Sequence, residues 1–249
     1  MTFWIIEPRD PLIVRDGRPF GPNPGARATT MPFPFPSTLV GALRHKAGLD
    51  PNGQFNKNQI TTVLTQGMHG PLLVELDDNG IIKWLLSAPA DALLLEAKNT
   101  NDSVATDEDK PPIVQRFWMQ PHEKATATTN MPDNLLPIGP VKPHAEKLST
   151  AAPHFWNGNK LYQWLLSPED DPQAVAVDEI GIRGLEINTR MHVSIQADQQ
   201  TAIEGALFQT SGLEFTWRNW QEAKQHRFET KRLALAMWFD GPTPNFTDN

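Results

Sequence analysis

The 249-residue chain contains no cysteine. Disulfide staples, thiol nucleophiles and cysteine-ligated zinc are therefore excluded, a secreted disulfide-rich module is disfavoured, and a cytoplasmic protein is the default expectation. It also lacks a long apolar run. The opening "MTFWIIEPRD" meets Glu7 and Pro8 after a few apolar residues, too soon for a signal segment or a membrane span, and nothing later approaches spanning length. Positive charge is not in excess. A formal net charge of −7 argues against a protein that coats nucleic acid indiscriminately, because such binding is driven by neutralising phosphates. Catalytic signatures are missing too: there is no G-x-S-x-G elbow, no H-E-x-x-H, no P-loop, and no G-x-G-x-x-G after a strand. The seven histidines (His45, His69, His122, His144, His154, His192, His226) are scattered, with no pair at the spacing of helical metal ligands. Neither a metal nor another cofactor is implied.

What is present is unevenly distributed. From Met1 to Lys46 six basic residues (Arg9, Arg15, Arg18, Arg27, Arg44, Lys46) face three acids (Glu7, Asp10, Asp16), so this segment is locally basic on an acidic protein. The acids gather instead in "DSVATDEDK" around Asp107 and "SPEDDP" around Asp170, both of which read as solvated loops. A basic patch on an acidic chain points to a defined anionic ligand, or to an RNA shared with partners.

Periodicity supplies the elements. "TFWIIEP" reads as a buried first strand, and "PSTLVGALRHKAGL" as a helix from Ser37 to Ala47, with Ser37 as N-cap and Gly48 as stop. "ITTVLTQGMHGPLLVELDDNGIIKWLLSAP" suggests a short helix followed by two strands. Leu72 to Leu76 and Ile81 to Leu86 form a hairpin around "DDNG", where Asp77 and Asp78 are turn residues that bond their own backbone. "ADALLLEA" extends as another strand, whereas Lys98 to Pro153 shows little period and suggests a long insertion or interface coil. "NGNKLYQWLL" is helical, with Asn159 able to cap. "RMHVSIQ" alternates Met191, Val193 and Ile195 against His192, Ser194 and Gln196; "ALFQTSGLEFTWRN" suggests two strands turning at "SG", and "RLALAMWFD" a last buried strand. The order predicts an α+β protein of ferredoxin-like type, helices covering one face of an antiparallel sheet.

The chemistry concentrates in "RDGRPFGPNPGARATTMPFPFPST", Arg15 to Thr38. Its prolines hold the chain extended and Gly17, Gly21 and Gly25 let backbone approach a ligand closely. Arg15, Arg18 and Arg27 on such a scaffold can grip phosphates bidentately. The alternative is a tight turn in which Asp16 and Arg18 pair at the surface. Phe33 and Phe35 either stack on bases or, more simply, pack beneath the loop. The first turn of the following helix, at Ser37 and Thr38, offers backbone N–H groups and a positive dipole end, with Arg44 roughly two turns on and Lys46 beyond it. The general base of a ribonuclease would be sought in His45 or His192, though neither has an evident partner.

These residues carry a resemblance. "IIEPRDPLIVRDGRPFG" followed by "PFPSTLVGALR" resembles the start of the third Cmr subunit, a RAMP protein of type III-B CRISPR effector complexes, and "SAPADALLL", "FWNGNKLYQWLL" and "RMHVSIQADQQTAIEGALFQTSGLEF" follow in the family's order. The resemblance implies a non-catalytic subunit in antiviral defence with two ferredoxin-like modules, expected over residues 1–150 and 151–249. Its expected partners are the repeat-derived 5′ tag of the crRNA, the large polymerase-like subunit and the backbone RAMP subunits, with target RNA nearby and no membrane. Carried over by position, Arg15, Arg18, Arg27, Ser37, Thr38, Arg44 and Lys46 belong to the tag site, and Arg190 and His192 fall where a strand and hairpin reach the RNA. Family members run on past the equivalent of "RLALAMWFD" into a glycine-rich loop, whereas this sequence closes with "GPTPNFTDN"; the expectation is a second module incomplete at its C-terminus. A repeat-RNA processing endoribonuclease of the RAMP kind and a protein-only scaffold subunit are the alternatives.

Overall fold

Apolar runs interrupted by turn residues fold into the elements of a computed structural model that describes residues 2–20, 25–97, 112–122, 132, 134–142, 144–168, 173–218 and 230–240. The chain passes through β1 (Thr2–Ile6), β2 (Arg27–Ala28), α1 (Pro36–Ala47), a 3-10 turn at Lys57–Gln59, α2 (Ile60–Thr65), β3 (Met68–Asp77) and β4 (Gly80–Ser87). It continues through β5 (Ala92–Glu96), β6 (Ile113–Pro121), β7 (Ile138–Pro140), β8 (Phe155–Asn157), α3 (Gly158–Leu166), β9 (Gln173–Ala176), α4 (Val177–Ile180) and β10 (Gly181–Ile182). β11 (Glu186–Ile195), β12 (Ala202–Glu214), β13 (Thr216–Arg218) and β14 (Thr230–Phe239) complete it. Pairing is mostly antiparallel, with β2 running parallel to β12, so the chain is α+β as expected. Two compact units divide it, Met1–Ile82 with Leu185–Asn249, and Lys83–Gly184. The boundary expected at residue 150 falls inside the second of these.

In the first unit β14 is a central strand between β1 and β3, and Leu233 through Met237 are all buried, so side chains on both of its faces are enclosed and its apolar run is unbroken. Helix α1 turns Leu39 and Leu43 inward and packs on β3. The β3–β4 hairpin closes as its sequence indicates, with Asp77 Oδ1 accepting from the backbone N–H of Asn79 at 2.7 Å and of Gly80 at 3.0 Å. A separate sheet of order β11-β12-β2 carries the basic segment. The second unit has its own core of Leu94, Val114, Trp156, Trp164 and Ile180, in which the two indoles meet edge to face at 5.8 Å.

Several expectations are corrected. β1 is not buried: it is the outer strand of its sheet, and Phe3 and Ile5 are exposed. Helix α1 starts a residue early because Pro36 is pre-set for its first position, so the N-cap is Phe35, which has no capping side chain, and Ser37 lies inside the helix. Helix α3 is capped by Asn157, whose Oδ1 accepts from the Asn159 N–H at 3.2 Å. The stretch from Lys98 to Pro153 holds β6, whose alternation is masked by the buried Arg116 beside the buried Phe117. No turn occurs at Ser211–Gly212, where β12 runs straight through. Gly212 is small for another reason: a Cβ there would lie 2.8 Å from Pro11 Cβ and 3.0 Å from the Pro11 carbonyl oxygen. The acidic runs around Asp107 and Asp170 and the tail "GPTPNFTDN" lie outside the described residues.

Candidate nucleic-acid interface

The close approach at Gly212 seats the basic arm. Leu12 and Leu213 exchange backbone hydrogen bonds of 2.9 and 2.8 Å, the Gly25 N–H donates to the Leu207 carbonyl at 3.1 Å, and the Gln209 N–H donates to Ala26 at 2.9 Å. Between these points Thr30 acts as a rivet. Its Oγ1 accepts from the Val14 N–H at 3.2 Å, its own N–H donates to Ser211 Oγ at 3.1 Å, and the Ser211 hydroxyl donates to the Ala28 carbonyl at 3.1 Å. Val14, Ala28, Thr30 and Ser211 are buried, whereas Arg15, Arg27 and Thr29 are exposed. A segment that looks aperiodic therefore alternates locally, because its described parts are laid along β12 and bonded to it through their backbone.

Arg15 then meets aromatic rings. Its guanidinium carbon lies 5.1 Å from the centroid of Phe20, and Nη2 donates to the Arg18 carbonyl at 3.0 Å. Phe20 stands edge-on to Phe208 of β12 at 6.2 Å, and Phe208 stacks on His192 of β11 at 5.0 Å with 16° between the rings. The His192 Nε2 and Thr210 Oγ1 are 2.8 Å apart. Register explains the column. His192 lies opposite Phe208 and Arg190 opposite Thr210, so these four side chains share one face of the hairpin. Arg190 is exposed, and its Nε donates to Asn188 Oδ1 at 3.3 Å.

The other expected residues are placed differently. Arg18 pairs with Asp16, Nε to Oδ2 at 3.2 Å, while the Arg18 N–H donates to Asp16 Oδ1 at 3.1 Å; the turn alternative for "RDGR" is thus what is found, with the Arg18 side chain still 82% exposed. Arg27 is beside Gln209, one residue out of step with Thr210, which assigns it to the opposite face. Ser37 and Thr38 are exposed on the first turn of α1, which holds no acid, and the Thr38 N–H turns back to the Phe35 carbonyl at 3.1 Å. Arg44 does not stand with the arm. Its Nη2 donates to the carbonyls of Leu64 at 3.2 Å and Gln66 at 3.4 Å, tying α1 to the end of α2, while Lys46 is exposed in the last turn. Phe33 and Phe35 part company across the fully buried Pro34: Phe33 is half-buried and Phe35 is 60% exposed. Phe20 and Phe208 are the members of the site that sequence reasoning missed; the available signal was the arginine–proline–aromatic order in "GRPF".

Both candidate general bases are packed against other side chains. His45 stacks flat on Phe55 at 5.5 Å, and His192 is bonded to a threonine. Among the described residues the histidine that meets a carboxylate is His69 of β3, whose Nε2 lies 2.6 Å from Oδ2 of Asp240, the residue after β14, and whose ring stacks on Trp238. Elsewhere the Arg232 guanidinium is held above its ordinary range by its bond to Glu7, with Asp78 close by. Among the described residues no group of three histidine or acidic side chains is placed to hold a metal ion, and no helix is long and apolar enough to cross a membrane.

Comparison with known proteins gives a family. Residues 4–249 match the family model described as CRISPR-associated protein (Cas_Cmr3). No curated protein matches. A chain in a solved structure described as the cryo-EM structure of the type III-B Cmr-beta bound to cognate target RNA and AMPPnP is 12% identical, with a TM-score of 0.43. That similarity covers 96% of the present chain and 54% of the other, so the present chain spans about half the length of its match.

Proposed function

Because the chain belongs to the CRISPR-associated Cas_Cmr3 family, we propose that it is a non-catalytic subunit of a type III-B Cmr effector complex that holds the repeat-derived 5′ tag of the guide RNA. The observation that carries this reading is the column Arg15, Phe20, Phe208 and His192, fixed to the sheet by the Thr30–Ser211 rivet. Cation, stacked rings and a hydroxyl on one face offer a phosphate contact beside aromatic surface, the combination that suits single-stranded nucleic acid. Arg18, paired with Asp16 yet exposed, and Arg190 of β11 border this surface. Arg27, Lys46 and the α1 N-terminus with Ser37 and Thr38 supply outlying phosphate contacts, and Arg44 supports them by fixing α1. In the same reading the two units are ferredoxin-like RAMP modules, and the chain's partners are the large polymerase-like subunit and the backbone RAMP subunits, with target RNA passing nearby.

His45 packed on Phe55 and His192 packed on Phe208 favour the non-catalytic reading over the ribonuclease alternative. The reading is tested by assembling the complex with guides carrying native or scrambled 5′ tags. Tighter retention of the native tag is expected, together with a loss of that preference when Arg15→Glu is introduced. Equal retention of both guides by the unaltered complex would refute the tag assignment.

A further inference from the structure

β11 is the outer strand of its sheet, and among the described residues no strand pairs with its free side. Its neighbour β12 is covered along its other edge by β2 and by Leu12 of the arm. β11 instead leaves a ten-residue edge of backbone donors and acceptors, from Glu186 to Ile195, open for pairing. Edges of this length are ordinarily blunted by lysine, by proline or by a bulge in mid-strand. "EINTRMHVSI" has no lysine and no proline, its charged residues are Glu186 at its start and a single Arg190, and its irregularity comes only at the end, between Val193 and Ile195.

The two faces of this strand differ. Register puts Ile187, Met191 and Val193 on one face with Leu207 of β12 beside them, and all four are exposed, Met191 to 60%. The opposite face carries Arg190 and His192. The Arg190 Nε bonds the neutral Asn188 side-chain oxygen, and among the described residues no carboxylate pairs with it. An RNA strand can neutralise Arg190, but it cannot complete a row of peptide hydrogen bonds or cover the apolar Ile187, Met191 and Val193, which share their face with Thr189.

We infer that the free edge of β11 is a docking site for an extended segment of a partner protein, which adds as a further strand. Its apolar side chains cover Ile187, Met191 and Val193, and an acidic side chain lies opposite Arg190. The inference goes beyond RNA binding and rests on the proposed function only in placing the chain within a multi-subunit complex.

Amide hydrogen exchange over residues 186–195 tests it, in the isolated chain and in the assembled complex before and after nuclease treatment. Exchange at least about tenfold slower in the complex, and still slow once accessible RNA is digested, is the expected result. A Met191→Lys/Val193→Lys chain is expected to bind tag RNA as before and to enter the complex at least about tenfold less well, because lysine guards an edge against pairing. Equal exchange in both states, or protection that vanishes with the RNA, overturns the inference. So does concentration-dependent protection in the isolated chain, which would put a second copy on the edge. Protection of β11 in a complex that ignores the tag sequence would sustain the docking edge while refuting the tag assignment.

Discussion

The arm from Pro11 to Thr30 and the strand β11 reverse each other. The arm shows no apolar period in sequence, yet Val14, Ala28 and Thr30 are buried and its backbone is bonded along β12. β11 shows a clean alternation, yet its apolar positions Met191, Val193 and Ile195 are exposed and its polar His192 is half-buried. Periodicity tells which side chains share a face; it does not tell what covers that face. In the arm the cover is Ser211 and Leu213, nearly two hundred residues away in sequence. On β11 the apolar face has no cover among the described residues, and the polar face is occupied by Phe208.

The strongest way to break the contrast is to unseat the arm. Gly212→Val pushes a side chain into Pro11 backbone and ring, and is expected to destabilise the chain by about 1–3 kcal/mol, read as a lower urea midpoint at constant slope. Thr30→Val keeps the shape and the Ser211 bond but strands the buried Val14 N–H and removes the side-chain tie between the two ends of the arm, for an expected loss of about 1–3 kcal/mol in the same assay. Arg15→Glu leaves the seating alone and attacks the column. Tag-RNA affinity is expected to fall about tenfold, with the salt slope reduced by roughly 1, in a titration at several ionic strengths. The smallest effect belongs to the exposed face. Met191→Lys/Val193→Lys is expected to change unfolding stability by no more than about 0.5 kcal/mol, since neither side chain is buried. A large loss there would mean that the apolar face of β11 is covered within the chain itself, and the contrast between the two regions would collapse.

Much of the fold was legible where local signals act alone. The "DDNG" turn, helix α1 and the buried strand "RLALAMWF" follow from turn chemistry, helical spacing and an unbroken apolar run. Signals set by distant neighbours misled. Gly212 looked like a turn residue because its true constraint, the Pro11 backbone, is remote in sequence. β6 went unseen because Arg116 is buried beneath Trp164, at 6.0 Å from the ring centroid, and breaks the alternation. Part of the site was legible: Arg15 and His192 were singled out, and geometry joins them. Arg44 shows the limit of that approach, since helical spacing aligned it with Ser37 but could not reveal the carbonyls of Leu64 and Gln66 that hold its guanidinium. Phe20 and Phe208 became a pair only through tertiary contact.

The central claim is that the arm and β12 together form the surface that holds the guide RNA tag. Its most direct test is ultraviolet crosslinking of the assembled complex on a guide with a photoreactive base within the tag, followed by mapping of the adducts. The account predicts adducts at Phe20 or Phe208, or elsewhere within residues 9–46, that disappear when the tag is scrambled. Guide RNA fully retained in the complex with no adduct on any of these residues would contradict it.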